Sequence, residues 1–211
     1  MFQGQDSFHQ IVLSESIVKL FGAPNFIEIY DQVLTEKECQ MIISLFEKGG
    51  YGRGCTMAGY VPEHKKCFQI PYDFSKTTLP TNIIRPNLND CLRKYHEKYI
   101  SLNEIASFTI YHEYAVQKYD GEEDGYKKFH CEHGPSHQSS RRILAWMIYL
   151  NNAKCGTEFL DHPNVRAKMG RCVIWPAGFT HVHKGVIPNK GLKYIATGWV
   201  TYPISDPTLV S

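Results

Sequence analysis

A chain of 211 residues with 43% apolar content is long enough to bury a core, which excludes a disordered tail or a disulfide-stapled miniprotein. Its 23 basic and 21 acidic residues leave a net charge of +2 with no like-charge block, so the charge gives no case for a nucleic-acid partner. The seven cysteines form no Cys-x-x-Cys pair and imply a reducing, cytoplasmic setting; there is no signal-length apolar run at the start, nor any membrane-spanning stretch of about eighteen apolar residues.

In chain order, the alternating segment 26–30 (FIEIY) predicts a short strand. Thr35 and Glu38 then stand three apart ahead of Met41, Ile42, Leu45 and Phe46, a capping box before a helical stripe that Gly49 and Gly50 stop. Residues 51–66, broken by Gly52, Gly54, Gly59 and Pro62, read as a loop long enough to form a lid, with Tyr51, Arg53 and Tyr60 able to stack on an extended substrate. A second helix is predicted over 86–100, starting at Pro86 and carrying Leu88, Cys91, Leu92, Tyr95 and Tyr99 at three- and four-residue steps.

From residue 105 the pattern changes to short β-rich runs with no helix between them, which argues for a sandwich or barrel. The expected fold class is therefore α+β with a mainly β core. The expected layout is one domain over 1–211, with a helical or mixed supporting region (1–104) and a β core (105–203).

The chemistry concentrates around His130 and Glu132. Two apart on a strand, they would project from one face and could share a metal. A third ligand must come from the second histidine cluster, His181 and His183, and strand parity leaves both open. Two histidines and one carboxylate leave three positions on an iron, the number that a chelating 2-oxo acid and dioxygen require. The competing arrangement is a structural zinc cage drawn from His130, Cys131, His133, His137 and Cys155, although their spacing matches no zinc module. Otherwise His133 and His137 would border the site and His112 would be structural.

Residues 108–201 resemble the Fe(II)- and 2-oxoglutarate-dependent dioxygenases, and within them the prolyl 4-hydroxylase-like branch. The resemblance is carried by Tyr119, His130-x-Glu132, Tyr149-Leu150-Asn151, Gly156-Thr-Glu-Phe159, and His183 followed by Gly191, Lys193 and Trp199. It implies a double-stranded β-helix (jelly roll) in which Fe2+ is held by His130, Glu132 and His183. The family's interval of ten residues to the basic anchor, with glycine two before it, selects His183 over His181. The same resemblance gives Lys193 and Tyr149 the C5 carboxylate of 2-oxoglutarate, and Tyr119 the other end of the co-substrate or the pocket wall. By alternation along the strands, Thr197 or Trp199 would line the barrel, and Trp146 or Trp175, Met147 and Val173 would keep it dry.

One residue departs from the family's usual His-x-Asp, since Glu132 is a methylene longer. The implied reaction converts peptidyl-proline, 2-oxoglutarate and O2 to hydroxyproline, succinate and CO2, and it admits ascorbate as reductant. The implied partner is a proline-containing peptide or protein. The alternatives are an oxygenase for a free amino acid or other small molecule, and a non-catalytic jelly-roll binding module.

Overall fold

The computed structural model describes residues 24–54, 59–121, 124–186 and 191–203. Strand β1 (Glu28–Tyr30) leads into helix α1 (Glu36–Lys48), followed by β2 (Gly52–Arg53), β3 (Lys65–Lys66), β4 (Phe68–Asp73) and helix α2 (Leu79–Lys98). The remainder is β5 (Thr109–Asp120), β6 (Gly125–Tyr126), β7 (Arg142–Tyr149), β8 (Gly156–Phe159), β9 (Val165–Arg166), β10 (Cys172–Pro176), β11 (His183–Gly185) and β12 (Leu192–Thr201). Among the described residues no helix is long and apolar enough to cross a membrane.

Helix α1 starts as its capping box requires: Glu38 N donates to Thr35 Oγ1 (3.3 Å) while Thr35 N donates to the Glu38 carboxylate (2.8 Å). Its buried stripe is Cys39, Ile42 and Phe46, with Met41 and Leu45 left on the rim. Helix α2 begins at Leu79 rather than at Pro86. Thr78 caps it, Pro80 sits in the first turn where its missing N–H costs nothing, and Ile84 extends the buried stripe one turn before Leu88. Pro86 lies inside the helix, so two prolines compete for the start signal and the earlier one, next to a capping threonine, prevails.

All strand pairs are antiparallel. A seven-stranded sheet runs β1-β10-β7-β12-β5-β4-β2, a three-stranded sheet runs β11-β8-β9, and β3 pairs with β6. Three strands of the large sheet, β1, β2 and β4, come from the supporting half of the chain. Alternation along the central strands divides the core in two. Leu144, Trp146 and Ile148 of β7, Cys172 and Ile174 of β10, and Tyr194 and Ala196 of β12 pack with the helices. On the other face Ala145, Tyr149, Val173, Trp175 and Ile195 pack with Phe159 and Val165 of the small sheet. The fold is a jelly roll with helices covering the back of its larger sheet.

One expectation about facing needs correction. Trp146 lies under the helices, so of the two candidate tryptophans Trp175 is the one on the barrel side. Ile143 also packs with the helix-side cluster, because the β7–β12 ladder shifts register there: Leu144 pairs with Val200 but Arg142 pairs with Thr201. In the 51–66 loop, Tyr51 stacks on Phe46 at 5.2 Å and Arg53 lies 4.2 Å over Phe68. Both are committed to packing at the sheet edge, not to a lid; Tyr60 is 47% exposed. Residues 55–58 of the loop, including Cys55, lie outside the described residues.

Candidate active site

A cavity of about 260 Å³ opens between the two sheets, walled by β5, β7 and β12 on one side and β8 and β11 on the other. His183 opens β11. His130 faces it across a single antiparallel bridge in which each backbone N–H donates to the other residue's carbonyl at 2.9 Å. His130 and Glu132 therefore do not share a regular strand. Their segment is held at two points, the His183 rung and the Ala177 carbonyl, which accepts from the N–H groups of Glu132 (3.0 Å) and His133 (2.9 Å).

The three side chains nevertheless converge. Glu132 Oε1 lies 3.5 Å from His130 Nε2 and 3.5 Å from His183 Nε2, and the ligand atoms all fall within 4.8 Å of one another. Each imidazole is oriented through its other nitrogen. His130 Nδ1 is bonded to Lys128 O (3.0 Å) and His183 Nδ1 to His181 O (2.9 Å), which directs both Nε2 atoms at the gap. Burial on its own would push the Glu132 carboxyl up, but hydrogen bonds and charge from His130 and His183 outweigh it and hold the group well below the carboxylate range. Tyr126 stacks on His130 at 3.6 Å, and Trp175 stands edge-on to His183 at 5.0 Å.

His181 is also buried, but both of its ring nitrogens are engaged, by Thr180 Oγ1 at 2.9 Å and Asn25 O at 2.7 Å. It stacks on His162 and belongs to no ligand cluster. Among the described residues the His130–Glu132–His183 group is the one set able to hold a metal, and no zinc cage assembles. Cys131 instead donates to His133 O. The His112 side chain is exposed beside Glu113.

Lys193 is 3% exposed, with Nζ donating to Val186 O (3.1 Å) and lying 4.5 Å over the Tyr119 ring; burial lowers its pKa. Tyr119 lines the cavity and donates to Gln117 Oε1 at 2.7 Å. Tyr149 is not in the cavity wall. Its hydroxyl is hydrogen-bonded to Thr157 Oγ1 at 2.7 Å, and Thr157 is the residue that faces the cavity. Met147, Thr197 and Trp199 line it as well, whereas Val173 packs behind it.

Arg142 and Thr157 are site residues that the sequence pattern does not single out. Arg142 has the parity of Leu144 and Trp146 and should face the helices, but the register shift at Ile143 turns it into the cavity. The one available signal was an arginine opening an otherwise apolar strand. Its Nη1 donates to Glu132 Oε2 (3.3 Å), as does Trp199 Nε1 (2.8 Å).

Residues 107–201 match the family model of the 2OG-Fe(II) oxygenase superfamily, a stretch that contains His130, Glu132, His183 and Lys193. No curated protein matches the chain in sequence. Among solved structures, it is similar to the viral collagen prolyl hydroxylase of Paramecium bursaria Chlorella virus-1 in complex with 2OG. That match has 17% identity and a TM-score of 0.64, and covers 84% of this chain and 97% of the other. A Trichoplax adhaerens prolyl hydroxylase, in complex with a peptide fragment of the hypoxia inducible factor oxygen degradation domain, matches at 17% identity and TM-score 0.64, covering 94% of each chain. A Pseudomonas putida prolyl-4-hydroxylase matches at 14% identity and TM-score 0.64, covering 92% of this chain and 100% of the other.

Residues 107–201 thus match the model of the 2OG-Fe(II) oxygenases, a class that takes Fe2+, 2-oxoglutarate and dioxygen. Its fold is the one shared by these prolyl hydroxylases.

Proposed function

We propose that the protein is a peptidyl-prolyl 4-hydroxylase-like dioxygenase, with Fe2+ held by His130, Glu132 and His183 and the C5 carboxylate of 2-oxoglutarate paired with Lys193. The observation that carries this reading is the spacing of two features along β11. Lys193 Nζ lies against Gly185, where an added Cβ would stand 3.6 Å away, and Gly185 is two residues from His183. That separates anchor from metal group by roughly 6–7 Å along the strand, a span that a five-carbon diacid fills. The donor set suits ferrous iron, being two imidazoles and one carboxylate with one face open to the cavity.

Iron, when bound, supplies the redox chemistry that couples decarboxylation of 2-oxoglutarate to hydroxylation of a C–H bond. The chain supplies the setting. The Lys193 ammonium offers a charge-assisted hydrogen bond to a carboxylate that could not otherwise be buried, and Thr157, held by Tyr149, stands ready as a further donor. Tyr119 fixes Lys193 from beneath through its ring and is itself fixed by Gln117. Met147 and Ile195 line the same cavity with apolar surface, which limits water near the reacting centre. At the metal end, the Trp199 ring with Arg142 stacked on it at 3.6 Å presents an aromatic face of the kind on which extended proline-containing chains dock.

The similar folds of three prolyl hydroxylases support a proline-containing peptide or protein as substrate. Residues 105–203 would form the catalytic core and 1–104 its support. Among the described residues Cys39, Cys67, Cys91, Cys131, Cys155 and Cys172 form no disulfide, which favours a cytoplasmic setting.

The test is an anaerobic titration of the metal-free protein with Fe(II) and 2-oxoglutarate, followed by a screen of proline-containing peptides for mass gain of one oxygen. The expected result is a visible charge-transfer band, lost in Glu132→Ala, and hydroxylation of at least one peptide. Absence of the band would overturn the metal assignment. A band with 2-oxoglutarate turnover on small molecules but on no peptide would overturn the peptidyl assignment alone.

A further inference from the structure

Glu132 is gripped on the side away from the histidines. Its Oε2 accepts from Trp199 Nε1 at 2.8 Å and from Arg142 Nη1 at 3.3 Å, and the same Nη1 donates to the Glu132 carbonyl at 3.0 Å. The guanidinium lies 3.6 Å above the Trp199 ring, so the two donors move as one stacked unit. The Arg142 side chain is 8% exposed. With Oε2 occupied, Oε1 is the oxygen turned toward both imidazoles, at 3.5 Å from each.

Both donors stand where the sheet breaks its own regularity. Arg142 follows the register shift in the β7–β12 ladder, and Trp199 lies between Gly198 and Val200, where the β5–β12 ladder shifts. Bulges of this kind re-aim side chains. Here the shift in β7 turns a guanidinium onto the carboxylate oxygen that the indole reaches by regular alternation along β12. The reach of that carboxylate matters too, because an aspartate at this position would withdraw it by about 1.5 Å, the length of one C–C bond. The 2.8 Å indole bond would then fall outside hydrogen-bonding distance.

We propose that Arg142 and Trp199 are positioning residues that hold Glu132 as a ligand through one oxygen, and that the site is thereby built for glutamate and not for aspartate. The proposal rests on the assignment of His130, Glu132 and His183 as metal ligands. It explains the departure at position 132 as a matched set: the longer ligand and the two donors that reach it belong together.

The experiment measures Mn(II) affinity of the full chain, without 2-oxoglutarate or oxygen, from the paramagnetic resonance signal of free Mn(II). Trp199→Phe keeps an aromatic ring but removes the donor, and is expected to weaken Mn(II) binding about 10- to 100-fold, the usual effect of losing a residue that orients a metal ligand. Glu132→Asp leaves the packing of Trp199 untouched and is expected to weaken binding by a similar factor. In the double variant the two losses should not multiply, since the shorter carboxylate has already left the indole. Circular dichroism and melting of each variant check that the fold is retained. Wild-type affinity in Trp199→Phe, undiminished affinity in Glu132→Asp, or losses that multiply in the double variant would each overturn the proposal. A wild-type protein that binds no Mn(II) would instead overturn the ligand assignment beneath it.

Discussion

Lys193 carries its ammonium into a site where it meets the Val186 carbonyl and the Tyr119 ring, and burial lowers its pKa. The folded protein therefore binds a proton there less readily than the unfolded chain, and the sign of the pH dependence follows. The cost is fully present below the lowered value and is relieved as pH rises from that value toward 10.5, so the ligand-free protein gains stability across that window. Lys193→Met should lack this alkaline gain when urea midpoints are compared between pH 7 and pH 10. The same substitution should weaken 2-oxoglutarate binding by about 2–5 kcal/mol, or roughly 30-fold and more, since it removes one partner of a buried charge pair. An unchanged 2-oxoglutarate affinity would mean that the co-substrate is anchored elsewhere. His181 makes the complementary case. Because Thr180 and Asn25 take both of its nitrogens, His181→Asn should keep metal affinity within about threefold while lowering stability by about 1–3 kcal/mol, read by Mn(II) titration and denaturation. Loss of metal binding in that variant would move the third ligand by two residues.

At the scale of elements, the local signals carry different amounts of information. The capping box at Thr35 and Glu38 is legible because both of its bonds are made within four residues. The start of α2 is less so, since Pro80 and Pro86 both satisfy the rule for a first turn and the threonine cap at Thr78 chooses between them. Alternation tells which side chains share a face but not which face meets the helices. Trp146 and Trp175 are equivalent in the pattern and opposite in the structure. A bulge is still harder to foresee, so Arg142 and its grip on Glu132 were invisible, and alternation does not show that Thr157 stands between the Tyr149 hydroxyl and the cavity. Gly170 joins two elements: it adopts φ +75°, its carbonyl accepts from Val33 N at 2.8 Å, and an added Cβ would stand 2.3 Å from Leu34 O. Gly170→Ala should therefore destabilise the protein by more than the ~1–2 kcal/mol of left-handed strain alone, measured by thermal or urea unfolding. A neutral substitution would show that the approach to α1 relaxes freely.

Across the whole molecule, the two cores explain why the fold was legible even where single facings were not. The helix-side cluster needs one face of β5, β7, β10 and β12, the barrel-side cluster needs the other, and strands apolar on both faces appear in sequence as the near-continuous runs 142–150 and 172–175. The cavity lies inside the second cluster, so ligands that fill it should stabilise the global fold. Mn(II) and 2-oxoglutarate, each at about a hundred times its dissociation constant, should each add about 2.7 kcal/mol and together raise the melting temperature by roughly 10–20 °C. The rise should vanish in Glu132→Ala. A rise that persists there would place the ligands outside the proposed site.

The reciprocal backbone bonds between His130 and His183 set the distance between the two proposed metal ligands by the sheet itself. In small metal-dependent domains the ligands are gathered by the ion they bind, and scatter when it leaves. Here the gathering is done by a rung of peptide groups that does not depend on the ion. Loss of the metal is then a local and reversible episode in the life of a standing architecture, and one folded molecule can outlast many successive ions.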